Sequence, residues 1–118
     1  MPVKVKICGV TTPDVVEAAV SAGADFVGLV FFPRSPRNVD VETARVLREA
    51  ARGKIGTVAV MVDPDDALVD SVGEEVRPDL LQLHGNETPE RVAEIKARTG
   101  IPVMKAIGVA IPSDIGAA

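Results

Sequence analysis

Residues 25–38 read DFVGLVFFPRSPRN, and this stretch decides the fold class. Its first eight residues are too continuously apolar to alternate between core and solvent, which is typical of a strand buried on both faces. The two prolines that follow exclude regular structure from the next loop. Asp40 then predicts the start of a helix that runs to about Arg52. A buried strand, a loop and a capped helix together form one βα unit of a parallel sheet.

The same unit recurs along the chain. Five strands are predicted, with starts 22 to 30 residues apart: Val3–Cys8, Asp25–Phe32, Ile55–Val62, Asp79–His84 and Pro102–Ile107. The triplets TPD, DPD and TPE follow strands one, three and four, and they predict helices that end near Ala22, Val76 and Thr99. We interpret Asp63, in the second triplet, as an N-cap, and Ile111–Asp114 as the start of a further helix. These residues alone leave a doubly wound open sheet and an eight-stranded barrel equally open.

Composition and charge narrow the class of protein. The 118 residues predict one domain, residues 1–118, of ordinary globular composition, with 47 % hydrophobic and 25 % charged residues. A net charge of −4 without basic runs, and aromatic residues limited to three phenylalanines, argue against nucleic-acid binding. No apolar run approaches the ~18 residues that a membrane span needs. One cysteine and a charged N-terminus without a signal-peptide pattern predict a cytoplasmic protein.

Polar side chains stand where the predicted strands end, and this is the catalytic edge of parallel α/β proteins. Cys8 ends strand one, and Lys6 points to the same side by strand parity. A lone cysteine is more often a small buried apolar residue than a catalytic one. A thiolate that acts as base or nucleophile needs an open, electropositive setting, which Lys6 could supply. Both interpretations of Cys8 stay open on the residues alone.

Three further side chains are candidates for substrate binding. Arg37 lies in the proline-stiffened loop after strand two, where it is well placed to bind a carboxylate. His84 is the only histidine and shares a strand face with Gln82; a core group and a substrate contact are equally good interpretations. One cysteine and one histidine without clustered carboxylates do not make a zinc site. No Walker-type, Gly-x-Ser-x-Gly or Gly-rich dinucleotide motif is present in the sequence.

Five segments, in order and in register, resemble one family, phosphoribosylanthranilate isomerase. They cover essentially all 118 residues: KICGVT at 6–11, GAD at 23–25, GLVFF with P-x-S-x-R at 28–37, LQLHG at 81–85 and VMKA at 103–106. The resemblance implies the (β/α)₈ TIM barrel. Because that barrel needs eight strands, the five predicted here imply a truncated, parallel, five-stranded partial barrel.

The resemblance also implies a reaction of tryptophan biosynthesis, an Amadori rearrangement. N-(5-phosphoribosyl)anthranilate is converted into 1-(2-carboxyphenylamino)-1-deoxyribulose 5-phosphate without a cofactor or a metal. A general acid protonates the furanose oxygen, the ring opens to a Schiff base, and a general base removes the proton from C2. In this family Cys8 matches the base, Arg37 matches the arginine that pairs with the substrate carboxylate, and Gln82 and His84 match positions that line the site.

Other parts of the family's machinery have no counterpart in the sequence. The family's general acid is an aspartate at the end of strand six, and its phosphate loops follow strands seven and eight; Asp114 comes too early to be that aspartate. We therefore expect the 118 residues to be inactive alone. The alternative is a non-catalytic half-barrel that folds by self-association, as a homo-oligomer paired through its open sheet edges. A histidine-pathway phosphosugar isomerase ranks lower, because that relative typically has an aspartate where this chain has Cys8.

Overall fold

The computed structural model describes residues 5–105, which form a five-stranded parallel sheet flanked by helices. The strands are β1 (Lys6–Cys8), β2 (Phe26–Phe31), β3 (Gly56–Met61), β4 (Leu80–Leu83) and β5 (Val103–Lys105). The helices are α1 (Pro13–Ser21), α2 (Val41–Ala51), α3 (Asp66–Ser71) and α4 (Pro89–Thr99), and a π-helical turn, Val72–Val76, continues α3.

Strand order and direction agree with the sequence prediction. Neighbours in the sheet follow chain order, β1-β2-β3-β4-β5, and all four pairings are parallel. The strands are shorter than predicted, since β1 begins at Lys6 and β5 at Val103. The predicted end of strand five at Ile107 and the helix start at Ile111–Asp114 lie outside the described residues.

Most helix starts follow the predicted capping chemistry, with one correction. Thr12, Asp40 and Thr88 each accept a hydrogen bond from the backbone N–H three residues later. The interpretation of Asp63 as an N-cap is wrong. Asp65 caps α3 instead, because it has the extended backbone that a cap requires, whereas Asp63 has a φ of 43°.

The third helix also differs from an uninterrupted α-helix to Val76. Its last five residues form the π-helical turn, in which Gly73 packs against Thr99 of α4. A methyl group built on Gly73 would lie 3.0 Å from Thr99 Cγ2, so the two helices approach closely at this point. Arg77, with a φ of 53°, then ends the turn.

The hydrophobic core lies between one face of the sheet and the helices. It contains alternate residues of the central strands and the inward stripe of each helix, among them Val16, Val27, Leu29, Leu47, Ala59, Met61, Val69, Leu81, Leu83 and Ile95. Val58 and Val60 of β3 are also buried, although they lie outside this core on the other face of the sheet. β3 is therefore buried on both faces, whereas β2, for which the sequence predicted such burial, has only half-buried side chains at Phe26 and Val30 on its second face.

The two edge strands expose apolar side chains. Val5 and Ile7, at β1, are 49 % and 37 % exposed, and Met104 of β5 is 45 % exposed. Within residues 5–105 neither β1 nor β5 has a strand on its outer side. No helix in this part of the chain is long and apolar enough to cross a bilayer.

Candidate active site

Cys8 and Arg37 come together at the carboxyl end of β1. Gly9 follows Cys8 with a φ of +79°, and the Arg37 side chain lies across it. A methyl group built on Gly9 would be 2.3 Å from Arg37 Cδ, so only glycine permits this approach. Within this loop, Ser35 Oγ accepts a hydrogen bond from the Arg37 backbone N–H at 3.0 Å. The loop that follows β2 therefore places the Arg37 guanidinium group beside Gly9, the residue that directly follows Cys8.

Cys8 is exposed, which the interpretation as a buried apolar residue does not describe. It pairs with Gly28 in the neighbouring strand, where a methyl group would lie 2.7 Å from Cys8 Sγ. Gly28 therefore makes the space that the thiol occupies against the sheet. Sequence reasoning assigned no role to Gly9 or Gly28. The sequence feature that could have pointed to them is a glycine directly after the first strand and another within the apolar run of the second strand.

Lys6, Gln82 and His84 form a hydrogen-bonded chain between β1 and the end of β4. The Lys6 ammonium donates to Gln82 Oε1, and Gln82 Nε2 lies 2.8 Å from His84 Nε2. All three side chains are half-buried. Burial lowers the pKa of His84 below its usual value, and the positive charges of Lys6 and Lys105 lower it further, while Glu87 opposes them. These effects favour the neutral form of the histidine ring.

Glu87 ties together the ends of three strands, and sequence reasoning missed it. Its side chain is only 1 % exposed, and it receives the Lys105 ammonium from β5 at 2.5 Å. It also accepts the backbone N–H groups of Asp63 at 2.8 Å and Gly85 at 3.2 Å. Burial acts to raise the pKa of Glu87, but Lys105 and the Asp63 N–H outweigh it and leave the pKa lowered. The signal was Lys105, since a lysine in an apolar strand needs a counter-ion.

Asp63, in the loop after β3, makes further contacts with the loop after β4 that contains Glu87. Its carboxylate accepts the Asn86 backbone N–H at 2.9 Å and packs directly on Gly85, where a methyl group would be 2.5 Å away. The loops after β3 and β4 thus exchange hydrogen bonds, through Asp63 N–H to Glu87 and Asn86 N–H to Asp63. This junction lies directly after His84 and holds the backbone that follows it.

The fold and the site define a class of protein before any comparison. Parallel strands in chain order, joined by helices, with polar side chains gathered at the carboxyl ends, are the arrangement of (β/α) barrel enzymes. A family model described as N-(5'-phosphoribosyl)anthranilate (PRA) isomerase matches residues 5–117. The chain belongs to the phosphoribosylanthranilate isomerase family.

Individual relatives agree with this assignment. The chain is 56 % identical over 114 residues to N-(5'-phosphoribosyl)anthranilate isomerase of Parvibaculum lavamentivorans, covering 97 % of this chain and 53 % of that protein. It is 55 % identical over 118 residues to the protein of the same name from Paramagnetospirillum magneticum, covering 100 % of this chain and 55 % of the relative. The chain thus spans about half the length of the curated relatives it matches.

Solved structures carry the same fold. Phosphoribosyl anthranilate isomerase from Thermotoga maritima superposes with a TM-score of 0.84 at 36 % identity, over 98 % of this chain and 55 % of that one. A phosphoribosyl anthranilate isomerase in complex with reduced 1-(o-carboxyphenylamino)-1-deoxyribulose 5-phosphate gives the same TM-score and identity, over 98 % of this chain and 58 % of the other. The five-stranded sheet is therefore an open sheet of the TIM-barrel type, as the resemblance implied.

Proposed function

We propose that the chain provides the general base and the carboxylate-binding residue of phosphoribosylanthranilate isomerase, acting on N-(5-phosphoribosyl)anthranilate. The observation that carries the proposal is the contact of Arg37 with Gly9, beside Cys8. This contact puts a guanidinium group and a thiol at one strand end. A substrate that joins a benzoate to a phosphosugar needs both groups there, one for its carboxylate and one for its reacting carbon.

The chemistry assigned to these residues is a proton transfer. Once the sugar ring has opened, the C2 hydrogen lies next to an iminium carbon and is acidic. The Cys8 thiolate takes this proton, and the electron pair of the C–H bond moves to form the C1–C2 double bond of an enolamine, which neutralises the iminium nitrogen. The enolamine then tautomerises to the ketone. Arg37 holds the benzoate carboxylate, while Gln82 and His84 line the site.

The family's general acid and phosphate-binding loops belong to the part of the relatives' sequence that these 118 residues do not cover. We propose that the residues form one partial-barrel domain without measurable isomerase activity alone, because the acid on strand six and the phosphate loops contribute to the same transition state. The test measures turnover by the 118-residue chain alone and after mixing with a separate chain that carries strands six to eight of a relative. Turnover only in the mixture supports the proposal. Activity of the chain alone, or an inactive mixture, contradicts it.

Variants in the mixture identify the two roles. Cys8→Ser should lower kcat by about 10²-fold or more, which is the usual effect of removing a general base. Arg37→Met should lower kcat/KM by about 10- to 100-fold, since a hydrogen bond between charged groups contributes ~1.5–3 kcal/mol. The matched control is Arg34→Met, in the same loop, which should keep the activity of the parent mixture. Equal losses in the two arginine variants would refute the role of Arg37.

The second candidate is a non-catalytic half-barrel that self-associates. The exposed Val5, Ile7 and Met104 at the two sheet edges favour it, because unpaired edges with apolar side chains promote association. We expect the chain to be a homo-oligomer in sedimentation experiments. Ile7→Lys should reduce the assembled fraction, and Val46→Lys, on an exposed position of α2, should not. A monodisperse monomer would overturn this candidate.

A cytoplasmic location belongs to the same proposal. The single cysteine is exposed, and a reducing compartment keeps such a thiol unoxidised. Fractionation of cells that produce the chain, followed by immunodetection, checks this location. Recovery of the chain in an oxidising compartment would contradict it.

A further inference from the structure

The chain formed by Lys6, Gln82 and His84 determines where the histidine carries its proton. An ammonium group can only donate hydrogen bonds, so the Gln82 atom that meets Lys6 is the carbonyl oxygen Oε1. The amide nitrogen Nε2 of Gln82 then faces His84 Nε2 at 2.8 Å. Because this amide nitrogen is a donor only, His84 Nε2 must accept the hydrogen bond. A neutral ring whose Nε2 accepts has its proton on Nδ1.

We propose that Lys6 is a positioning residue that holds His84, through Gln82, in the neutral tautomer protonated on Nδ1. In this tautomer Nδ1–H is the ring's single hydrogen-bond donor, suited to an oxygen acceptor such as a carboxylate, hydroxyl or carbonyl group. It has no free lone pair with which to accept a substrate proton. This second statement rests on the proposed function, and it assigns His84 to binding a substrate oxygen rather than to acid–base chemistry.

The surrounding charges act in the same direction. Lys6 on β1 and Lys105 on β5 both disfavour a positive charge on the ring, and Glu87 in the loop after β4 is the opposing group. Within residues 5–105, no carboxylate lies within ion-pairing distance of the Lys6 ammonium. Protonation of His84 would also turn its Nε2–H toward the amide hydrogens of Gln82. Geometry and charge therefore favour the same protonation state.

The single histidine makes the test direct. In the 118-residue chain labelled with ¹⁵N-histidine, long-range ¹H–¹⁵N spectra at neutral pH report one pair of ring nitrogens. We expect the unprotonated, pyridine-type resonance on Nε2 and the protonated, pyrrole-type resonance on Nδ1. Free histidine prefers the opposite tautomer, so this result distinguishes an imposed state from the default. A pyridine-type resonance on Nδ1, or a ring charged at neutral pH, would overturn the proposal.

Three variants separate the hydrogen-bonded chain from general electrostatics. Lys6→Met frees the Gln82 amide to turn, so the pyridine-type resonance should move from Nε2 to Nδ1. Gln82→Glu replaces the amide by an acceptor-only carboxylate, which should move the resonance in the same way and raise the pKa of His84. Lys105→Met is the matched control, because it removes a neighbouring positive charge without touching the amide. Its spectrum should keep the parent tautomer.

A tautomer that Lys6→Met leaves unchanged in a folded chain, or that Lys105→Met also moves, would refute the role of Lys6. Amide spectra of each variant establish that it is folded, and Gln82→Glu provides the second test where Lys6→Met is unfolded. These measurements need neither substrate nor turnover. An inactive mixture with the expected tautomer therefore contradicts only the proposed function, and an active mixture with the other tautomer contradicts only this proposal.

Discussion

Exchanging Glu87 for glutamine removes one negative charge from the junction of three strand ends. The parent carboxylate accepts the backbone N–H groups of Asp63 and Gly85 and pairs with the Lys105 ammonium. A glutamine keeps one acceptor oxygen, but its amide nitrogen faces a group that also donates. The variant therefore loses at least one charge-assisted hydrogen bond and leaves Lys105 without its counter-ion.

The size of the loss follows from the burial of the two partners. Removing one member of a fully buried ion pair costs about 3–5 kcal/mol. The Glu87 side chain is 1 % exposed but that of Lys105 is 30 % exposed, so water replaces part of what the ammonium loses. Since a hydrogen bond to a charged group contributes ~1.5–3 kcal/mol, we expect the free energy of unfolding to fall by about 2–3 kcal/mol.

Urea unfolding followed by circular dichroism measures this change. With a slope of about 1–3 kcal/mol per molar urea, this loss should lower the unfolding midpoint of Glu87→Gln by about 0.7–3 M. The matched control is Glu74→Gln, at an exposed position in the π-helical turn, where the change should stay within about 0.5 kcal/mol. Equal midpoints for the two variants would refute the reasoning.

The pH dependence gives an independent check of the same carboxylate. Because the pKa of Glu87 is lowered in the folded chain, the unfolded chain binds more protons in acid, and stability rises with pH there. The contribution of Glu87 is complete above its unfolded pKa, near 4.5, and is lost as the pH falls through the lower folded value. Stability measured from pH 7 downward should therefore fall less steeply in Glu87→Gln than in the parent. An identical acid slope would contradict the assignment.

The remaining predictions concern the two glycines and the histidine. Gly9→Ala should lower stability by about 1–3 kcal/mol in urea unfolding, since its φ of +79° strains a side chain and the methyl group meets Arg37 Cδ. Gly28→Ala should cost about 1–3 kcal/mol and change the rate at which the sole thiol, Cys8, reacts with a disulfide reagent, because the new methyl group lies 2.7 Å from Sγ. The lowered pKa of His84 means that the unfolded chain binds the extra proton first, so stability should decrease as the pH falls through ~6.5, and His84→Asn should remove that decrease.

Local chemistry explains how much of the fold could be predicted. The cap at Thr12, the helix end at Gly100 and the buried run of β2 each depend on neighbours within a few residues, so their patterns can be read along the chain. Asp63 was misassigned because two aspartates flank Pro64 and both suit a cap chemically. Only the backbone conformation separates them, since Asp65 is extended and Asp63 has a positive φ. That conformation depends on the loop after β4, which lies more than 20 residues away in sequence.

For the candidate site, too, the residue types could be predicted from the sequence, but their contacts could not. The sequence by itself determined the parallel order of the strands and the family, and it identified Cys8, Arg37, Gln82 and His84 as candidates, because residue types after apolar strands mark one edge of a parallel sheet. Only the tertiary structure decided that Arg37 lies over Gly9 and that Lys6 reaches Gln82. It alone also brought Glu87 to Lys105. Those contacts join residues 18 to 76 positions apart in sequence, and Lys6 and Gln82 lie on strands that are not neighbours in the sheet, so the geometry exists only once the whole sheet has formed.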